Sequence, residues 1–562
     1  MNASKHSRPG HPANPVPEVP ATERAAALAA GVDPDNVGFA VLQLIQAYGV
    51  DTVFGIPGTH NLEFYRHLNR LGIHAVTSRH EQGAGYAADG WSQRTRLPGV
   101  VITTSGPGLL NALSAAGTAY CESRPMLILA PGVARGAEFA DIGALHETKD
   151  QRAAAAAIVE WARRVDTAQE AVDAVHDAFE LFRTGRPRPV YIEIPLDVLE
   201  AAAEVDPASL LPRPAPAPQP AEESAVAAAA KVLLAAKRPA ILAGGGAIPG
   251  AAALRELAER LGAPVVTSLN GKGVLPESHP LSLGSELRLE TAREVLNNSD
   301  ALLVVGSKIG ESELWGGQVA TQGDVIRVDI LASQRDKNLA ATHALIGDSA
   351  VVLPQLVSAL GSGSAAPALD LDAVRAASRA EGAAFAPLES KVAERIARAL
   401  PSDAIVTGDS SQITYYGMTS AVRAEQPGSF MYMAAYATLG YGLPAAIGAK
   451  LASPERPVVG VIGDGALMFS VQEFQTAIEQ GIDITIVCVD NGGYGEIQQN
   501  EADRGIAPVG VVLSQPDWAK LVDAFGGTGF SVRAANDLES VLEQAISHTG
   551  VSLVHVPLRL FA

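Results

Sequence analysis

A chain of 562 residues favours three or four domains of ordinary size, and its 47% hydrophobic content can fill large cores. A formal net charge of −19 argues against a general nucleic-acid binder. No apolar stretch approaches the length of a membrane span. Residues 1–37 open on a polar, Pro-rich run, KHSRPGHPANPVPEVPATE, without an apolar signal core, and are expected to be disordered. The two cysteines, Cys121 and Cys488, stand in apolar surroundings. They read as buried thiols in a reducing compartment, so a cytoplasmic protein is expected.

Residues 38–200 alternate helical and strand patterns. Phe39 to Tyr48 has helical spacing, VDTVFGIPG is strand then turn, and Asn61 to Leu71 is helical again. HAVTS, GVVITTSGPG, MLILAPG and PVYIEIPLDV supply further strands, which makes this an α/β unit with a parallel sheet. The Pro-dense run over 201–223 cannot continue helix or strand and reads as a connector. A second α/β unit spans 224–360, with strands in PAILAGGG, PVVTSLNG, ALLVVGSKIG and VIRVDIL. Its Gly244-Gly245-Gly246 lacks the spaced glycines of a dinucleotide fingerprint, so a tight turn after a strand is expected. A short connector at 361–371 leads to a third unit, 372–562. The expected fold class is therefore α/β, with doubly wound α/β domains in series.

The third unit carries the most informative segment. VVGVI runs into Gly463-Asp464-Gly465, the amphipathic stretch Ser470 to Gln480 follows, and a second apolar run ends at Asp490-Asn491. Strand, turn, helix, strand brings the C-terminal ends of both strands to one sheet edge. Asp464 and Asn491 meet there, two oxygen side chains beside a helix start, which suits a hard divalent cation carrying a diphosphate.

This block resembles the thiamine diphosphate (ThDP) enzymes that share the fold of acetolactate synthase and pyruvate decarboxylase. The resemblance covers the chain from about residue 38 onward and implies pyrimidine-binding, central and diphosphate-binding domains. It implies that Asp464, Asn491 and the carbonyl of Gly493 hold Mg²⁺, with Asp490 where the first Asn usually stands. Amides of Gly465 and Ala466 would meet phosphate, with Tyr494 among the cofactor contacts. Gly408-Asp409-Ser410-Ser411-Gln412 looks like the diphosphate loop, with Ser411 and Gln412 as donors. In Tyr436-Ala437-Thr438-Leu439-Gly440, Leu439 would wedge between the cofactor rings and the Ala437 carbonyl would accept from the 4′-amino group. Glu81, in Arg79-His80-Glu81-Gln82-Gly83, resembles the glutamate that exchanges a proton with pyrimidine N1′. In that family Glu81 would serve a cofactor held by another chain, so a homodimer is the smallest expected active unit, with a tetramer expected above it. Some relatives bind FAD in the middle domain, and the residues leave that undecided.

The resemblance implies a 2-oxo acid substrate and either decarboxylation or carboligation. Acetolactate synthases carry Phe-Gln-Glu where Leu145-His146-Glu147 stands, and WARRV replaces their Lys-His-Asn pattern. Benzoylformate decarboxylases place a His at Thr104, and the His-His pair of pyruvate decarboxylases is absent. LHE, the following DQR, TLGYGLPAA and NGGYGEI together resemble bacterial 5-guanidino-2-oxopentanoate (2-ketoarginine) decarboxylases. Glu496 falls where a helix enters the substrate pocket in this family, and a carboxylate there can pair with a guanidinium. It reads equally as a proton-transfer group or a solvated helix residue. His146 is a candidate proton donor, because imidazole ordinarily titrates near neutrality, although a lone His is more often structural. Glu81 and Asp464 are both retained, against a non-catalytic binding protein.

Overall fold

The computed structural model describes residues 35–362, 365 and 367–562. The expectation of disorder for the N-terminal segment falls on residues outside that set, apart from the last three. Three parallel sheets follow one another along the chain. The first contains β1 (Thr52–Gly55), β2 (His74–Thr77), β3 (Gly99–Ile102), β4 (Met126–Gly132), β5 (Trp161–Arg164) and β6 (Val190–Pro195), in the order β2-β1-β3-β4-β6-β5. The second contains β7 (Pro239–Ala243), β8 (Val265–Thr267), β9 (Ala301–Val305), β10 (Asp324–Asp329) and β11 (His343–Ile346), in the order β11-β10-β9-β7-β8. The third contains β12 (Ile405–Gly408), β13 (Phe430–Met431), β14 (Val458–Gly463), β15 (Ile484–Asp490), β16 (Thr528–Ser531) and β17 (Val551–Pro557), in the order β13-β12-β14-β15-β17-β16. The first and third sheets thus have the same strand order.

The central strands are buried on both faces, which is why VVGVI and ITIVCV read as unbroken apolar runs. β5 was not expected as a strand. Its sequence, WARR, lies at a sheet edge and is only partly covered, so it shows no apolar signal. The stretch Ser470 to Gln480 holds one helix, Glu473–Glu479, and a separate short helix, Asp464–Leu467, forms directly after β14. Cys488 is buried, but Cys121 is only half-buried, which corrects the reading of both as buried thiols. The three glycines after β7 make a tight turn. A Cβ at Gly244 would lie 2.2 Å from the Gly306 carbonyl oxygen, so the loops after β7 and β9 pack backbone on backbone.

The first and third units share a single apolar core, and the middle unit has its own. The joint between first and third is made by helix Glu81–Thr95 against helix Gly442–Ala452. Glycines let these helices touch: a Cβ at Gly448 would sit 1.8 Å from the Ala87 carbonyl oxygen, and one at Gly90 2.3 Å from that of Ala445. Beside them, Asp89 accepts from Arg124 at 2.5 Å and from the Tyr441 hydroxyl at 2.7 Å. We predict that Gly448→Ala destabilises the protein by about 1–3 kcal/mol or more, the cost of overpacking a joint that cannot give. Denaturant unfolding checks this, and an unchanged midpoint would show that the helices can separate freely.

Candidate active site

In the third sheet the strand order reverses direction between β12 and β14. Open parallel sheets bind ligands in the crevice at such a point, beyond the carboxyl ends of the strands. Here that crevice is a cavity of about 260 Å³. The loop after β12 brings Ser411 and Gln412 to it, the turn after β14 brings Asp464, Gly465 and Ala466, and the turn after β15 brings Asn491, Gly493 and Tyr494. Ala437 and Leu439 line the same space, as does Glu496 from helix Gly495–Asp503.

Three polar groups converge at one end. One atom of the Asn491 side-chain amide lies 3.0 Å from Asp464 Oδ1 and 3.0 Å from the Gly493 carbonyl oxygen. With its nitrogen turned to them the amide donates to both, and with its oxygen turned to them it completes a set of three oxygens that a cation can hold together. An octahedral magnesium ion, with bonds of about 2.0–2.1 Å, sets neighbouring ligands about 2.9 Å apart. Asp464 Oδ2 is buried without a hydrogen-bond partner. Burial, and then the charge of Asp490, pushes the Asp464 carboxyl up to about 6. Both facts describe a carboxylate that lacks its counter-charge, so the donor set fits a small hard cation. Asp490 itself turns aside to His555 on β17, at 2.8 Å.

A residue given no role from sequence organises the other wall. Asp409 is fully buried and accepts from the backbone N–H of Ser410 (2.9 Å), Gly440 (3.1 Å) and Gly442 (2.8 Å). It ties the loop after β12 to the segment carrying Ala437 and Leu439. Ala437 has φ of 52°, and Gly440 of 92°, so this segment is bent sharply into the cavity. Burial still raises the Asp409 carboxyl to about 6 against those hydrogen bonds.

Beyond Glu496 a second cavity of about 460 Å³ opens between the middle and third units. It shares Ser410, Tyr415, Ala437 and Glu496 with the first, and Trp315 and Phe385 wall it. Glu496 Oε2 accepts from the hydroxyls of Tyr415 (3.2 Å) and Tyr416 (2.8 Å) and from Gln412 Nε2 (3.2 Å). Burial first, and Glu496 next, raises both phenols, so they stay protonated as donors. Sequence reading missed the two tyrosines. They lie in a π-helical turn, Ile413–Met418, whose wide spacing no 3.6-residue pattern reveals.

Glu81 and His146 are placed elsewhere, at the carboxyl edge of the first sheet. Glu81 opens the helix after β2, is nearly buried, and accepts from Asn111 Nδ2 at 3.0 Å. His146 Nδ1 lies 3.3 Å from Thr104 Oγ1, and its ring stands 5.0 Å from that of His60. Burial, and then His146, lowers the His60 pKa. Neither Glu81 nor His146 lines the two cavities of the third unit. The expected site residues therefore form two groups on sheets of the same strand order.

Residues 35–154, 226–356 and 411–556 match, in turn, the N-terminal TPP binding domain, the central domain and the C-terminal TPP binding domain of thiamine pyrophosphate enzymes. The chain belongs to the thiamine pyrophosphate enzymes. It is 38% identical over 526 residues to the probable 2-ketoarginine decarboxylase of Pseudomonas aeruginosa, covering 93% of this chain and 94% of that one. It is 31% identical to the large subunit of acetolactate synthase isozyme 1 of Escherichia coli, covering 92% of each chain. Among the described residues no helix is long and apolar enough to cross a membrane.

Asp464→Ala removes the one carboxylate facing Asn491 and Gly493. Magnesium-dependent binding of ThDP should then fall below detection in calorimetry. Wild-type affinity in that variant would mean that the cation is held elsewhere.

Proposed function

We propose that the protein is a ThDP- and Mg²⁺-dependent decarboxylase acting on a 2-oxo acid whose side chain ends in a cation, with 5-guanidino-2-oxopentanoate as the fitting substrate. The observation that carries the substrate class is the state of Glu496. Its Oε2 is saturated by hydrogen bonds from Tyr415, Tyr416 and Gln412, while Oε1 has no protein partner among the described residues. A fixed carboxylate with one free oxygen, beside Trp315 and the two tyrosines, suits a planar guanidinium. The similarity to the Pseudomonas enzyme supports the same reading.

In this reading Asp464, Asn491 and the Gly493 carbonyl hold the metal, and Ser411, Gln412 and the Gly465 and Ala466 amides meet the diphosphate. Leu439 would lie between the two rings of the cofactor, Tyr494 would be among its contacts, and the Ala437 carbonyl would accept from the 4′-amino group. When bound, the cofactor would supply the nucleophilic carbon and the electron sink that loss of CO₂ from a 2-oxo acid needs. Glu81 would exchange a proton with pyrimidine N1′. His146, beside Thr104 and His60, returns a proton to the product carbon. Because Glu81 lies outside the third unit's cavities, a second copy of the chain would bring its own Glu81 to each cofactor, so a homodimer is the working unit. The unpaired cysteines support a cytoplasmic location.

Two measurements test this. With ThDP and Mg²⁺, one aldehyde should form per CO₂ from a single 2-oxo acid. Efficient formation of acetolactate from pyruvate, two molecules consumed per CO₂, would establish the carboligase reading instead. For the substrate class, Glu496→Gln should lower kcat/KM for 2-ketoarginine by about 2–5 kcal/mol, the cost of stranding one partner of a desolvated charge pair. An uncharged 2-oxo acid of similar length should lose much less. Equal losses would assign Glu496 to proton transfer.

A further inference from the structure

Glu473 is a buried carboxylate that the function has not absorbed. It opens helix Glu473–Glu479 in the third unit, is 1% exposed, and points across the domain joint. Its Oε1 accepts from the backbone N–H of Arg79 at 3.1 Å and of His80 at 3.0 Å. Its Oε2 lies 3.1 Å from the same Arg79 N–H and accepts from Thr476 Oγ1 at 2.6 Å. Arg79 also pairs through its guanidinium with Glu479, one helical face further along. The first unit leaves room for this. A Cβ at Gly83 would come within 2.5 Å of Glu473 Oε1, so only glycine admits the carboxylate.

Arg79 and His80 link β2 to helix Glu81–Thr95. The first N–H groups of a helix have no partner inside it and are usually met by a local side chain. Here His80 Nδ1 accepts from Gln82 N–H at 3.2 Å, and the two amides before it are met by a carboxylate from another domain. Glu81 is the next residue. Among the described residues its carboxylate accepts one hydrogen bond, from Asn111 Nδ2.

We propose that Glu473 is a positioning residue for Glu81: by holding the backbone of Arg79 and His80 across the domain joint, it sets the direction from which the Glu81 carboxylate reaches the cofactor. The proposal rests on the reading of Glu81 given above. A carboxylate that must meet one ring nitrogen tolerates little displacement, since a misplacement of about 1 Å can cost about 100-fold in rate. Anchoring to the third unit ties the orientation of Glu81 to the packing of two units of one chain, while the cofactor it would serve lies in the cavity of the second copy. Burial raises the Glu473 carboxyl pKa first, and its hydrogen bonds to Thr476, Arg79 and His80 oppose that rise.

The test uses the full-length enzyme with ThDP and Mg²⁺. Exchange of the cofactor's C2 hydrogen is followed by quenched-flow NMR, and ThDP affinity by calorimetry, in Glu473→Gln, Glu81→Gln and the double variant. The isosteric Glu473→Gln replaces one accepting oxygen by an amide that cannot accept. Exchange should fall about tenfold while ThDP affinity stays within about twofold. The double variant should exchange no more slowly than Glu81→Gln alone, because Glu473 acts only through Glu81. Wild-type exchange in Glu473→Gln, or losses that multiply in the double variant, would overturn the proposal. Wild-type exchange in Glu81→Gln would overturn the reading of Glu81, and the proposal with it. If Glu473→Gln does not fold, Thr476→Val, which removes only the donor to Oε2, carries the same comparison.

Discussion

The contact on which the rest depends is the glycine-mediated approach of helix Glu81–Thr95 to helix Gly442–Ala452. One helix begins at Glu81, and the other follows directly on the segment that brings Ala437 and Leu439 to the cavity of the third unit. Had Gly448 or Gly90 carried a side chain, the helices would stand apart by the thickness of a methyl group. The bonds at their ends would then fail together: Gln82 to the Leu439 carbonyl at 3.3 Å, Tyr86 to Thr438 at 3.1 Å, and Glu473 to Arg79 and His80. The buried Asp89, with Arg124 and Tyr441 on it, locks the register of this joint. Breaking a buried ion pair typically costs about 3–5 kcal/mol, so the register is strongly specified once the helices have met.

Repetition of one strand order in the first and third sheets explains why the site splits in two. Each sheet has a reversal point, between β1 and β3 and between β12 and β14, and each uses the loops beyond it. The third sheet's loops bring oxygen side chains and backbone amides to its cavity, which under the proposed function would hold a diphosphate and its cation. The first brings Thr104, Ser105, His60 and His146 together with Glu81 nearby, and under that reading Glu81 and His146 would move protons. The same scaffold would then supply binding from one edge and acid–base chemistry from the other.

Much of the third unit was legible because its function is written in short stretches. Asp464 and Asn491 stand where apolar runs stop, so periodicity brings them to one edge. Gly493, Ser411 and Gln412 were singled out by the family resemblance, and they line the same cavity. What stayed hidden depends on contacts between distant segments. Asp409 looks like any residue after a strand until the amides of Gly440 and Gly442 are found on it. Glu473 looks like a helix-start acid until its partners prove to be nearly 400 positions earlier. Tyr415 and Tyr416 hide in a π-helical turn, and β5 hides at an edge where burial leaves no pattern. The half-exposed Cys121 shows the converse error: apolar neighbours in sequence do not ensure burial at the end of a helix.

Under the proposed function, Glu496 would make the pocket selective for a cationic side chain. Two phenols that burial keeps protonated, and one amide, fasten a single oxygen of its carboxylate. A group held from three directions is fixed, and it presents its other oxygen at one place in a cavity walled by aromatic rings. Tyr415 and Tyr416 stand with ring centres 4.6 Å apart, and Trp315 lies 5.2 Å from Tyr416. These rings meet edge to face, at 77° and 86°, and a guanidinium can reach a ring face and the carboxylate together, as a compact ammonium does less well. An uncharged side chain in the same place would gain the aromatic contact but leave Oε1 desolvated and unpaired, which is a penalty and not merely a missing attraction. Under the proposed function, discrimination at this end of the cavity would come from the half-buried Glu496 carboxylate, while the groups at the other end would serve every substrate alike.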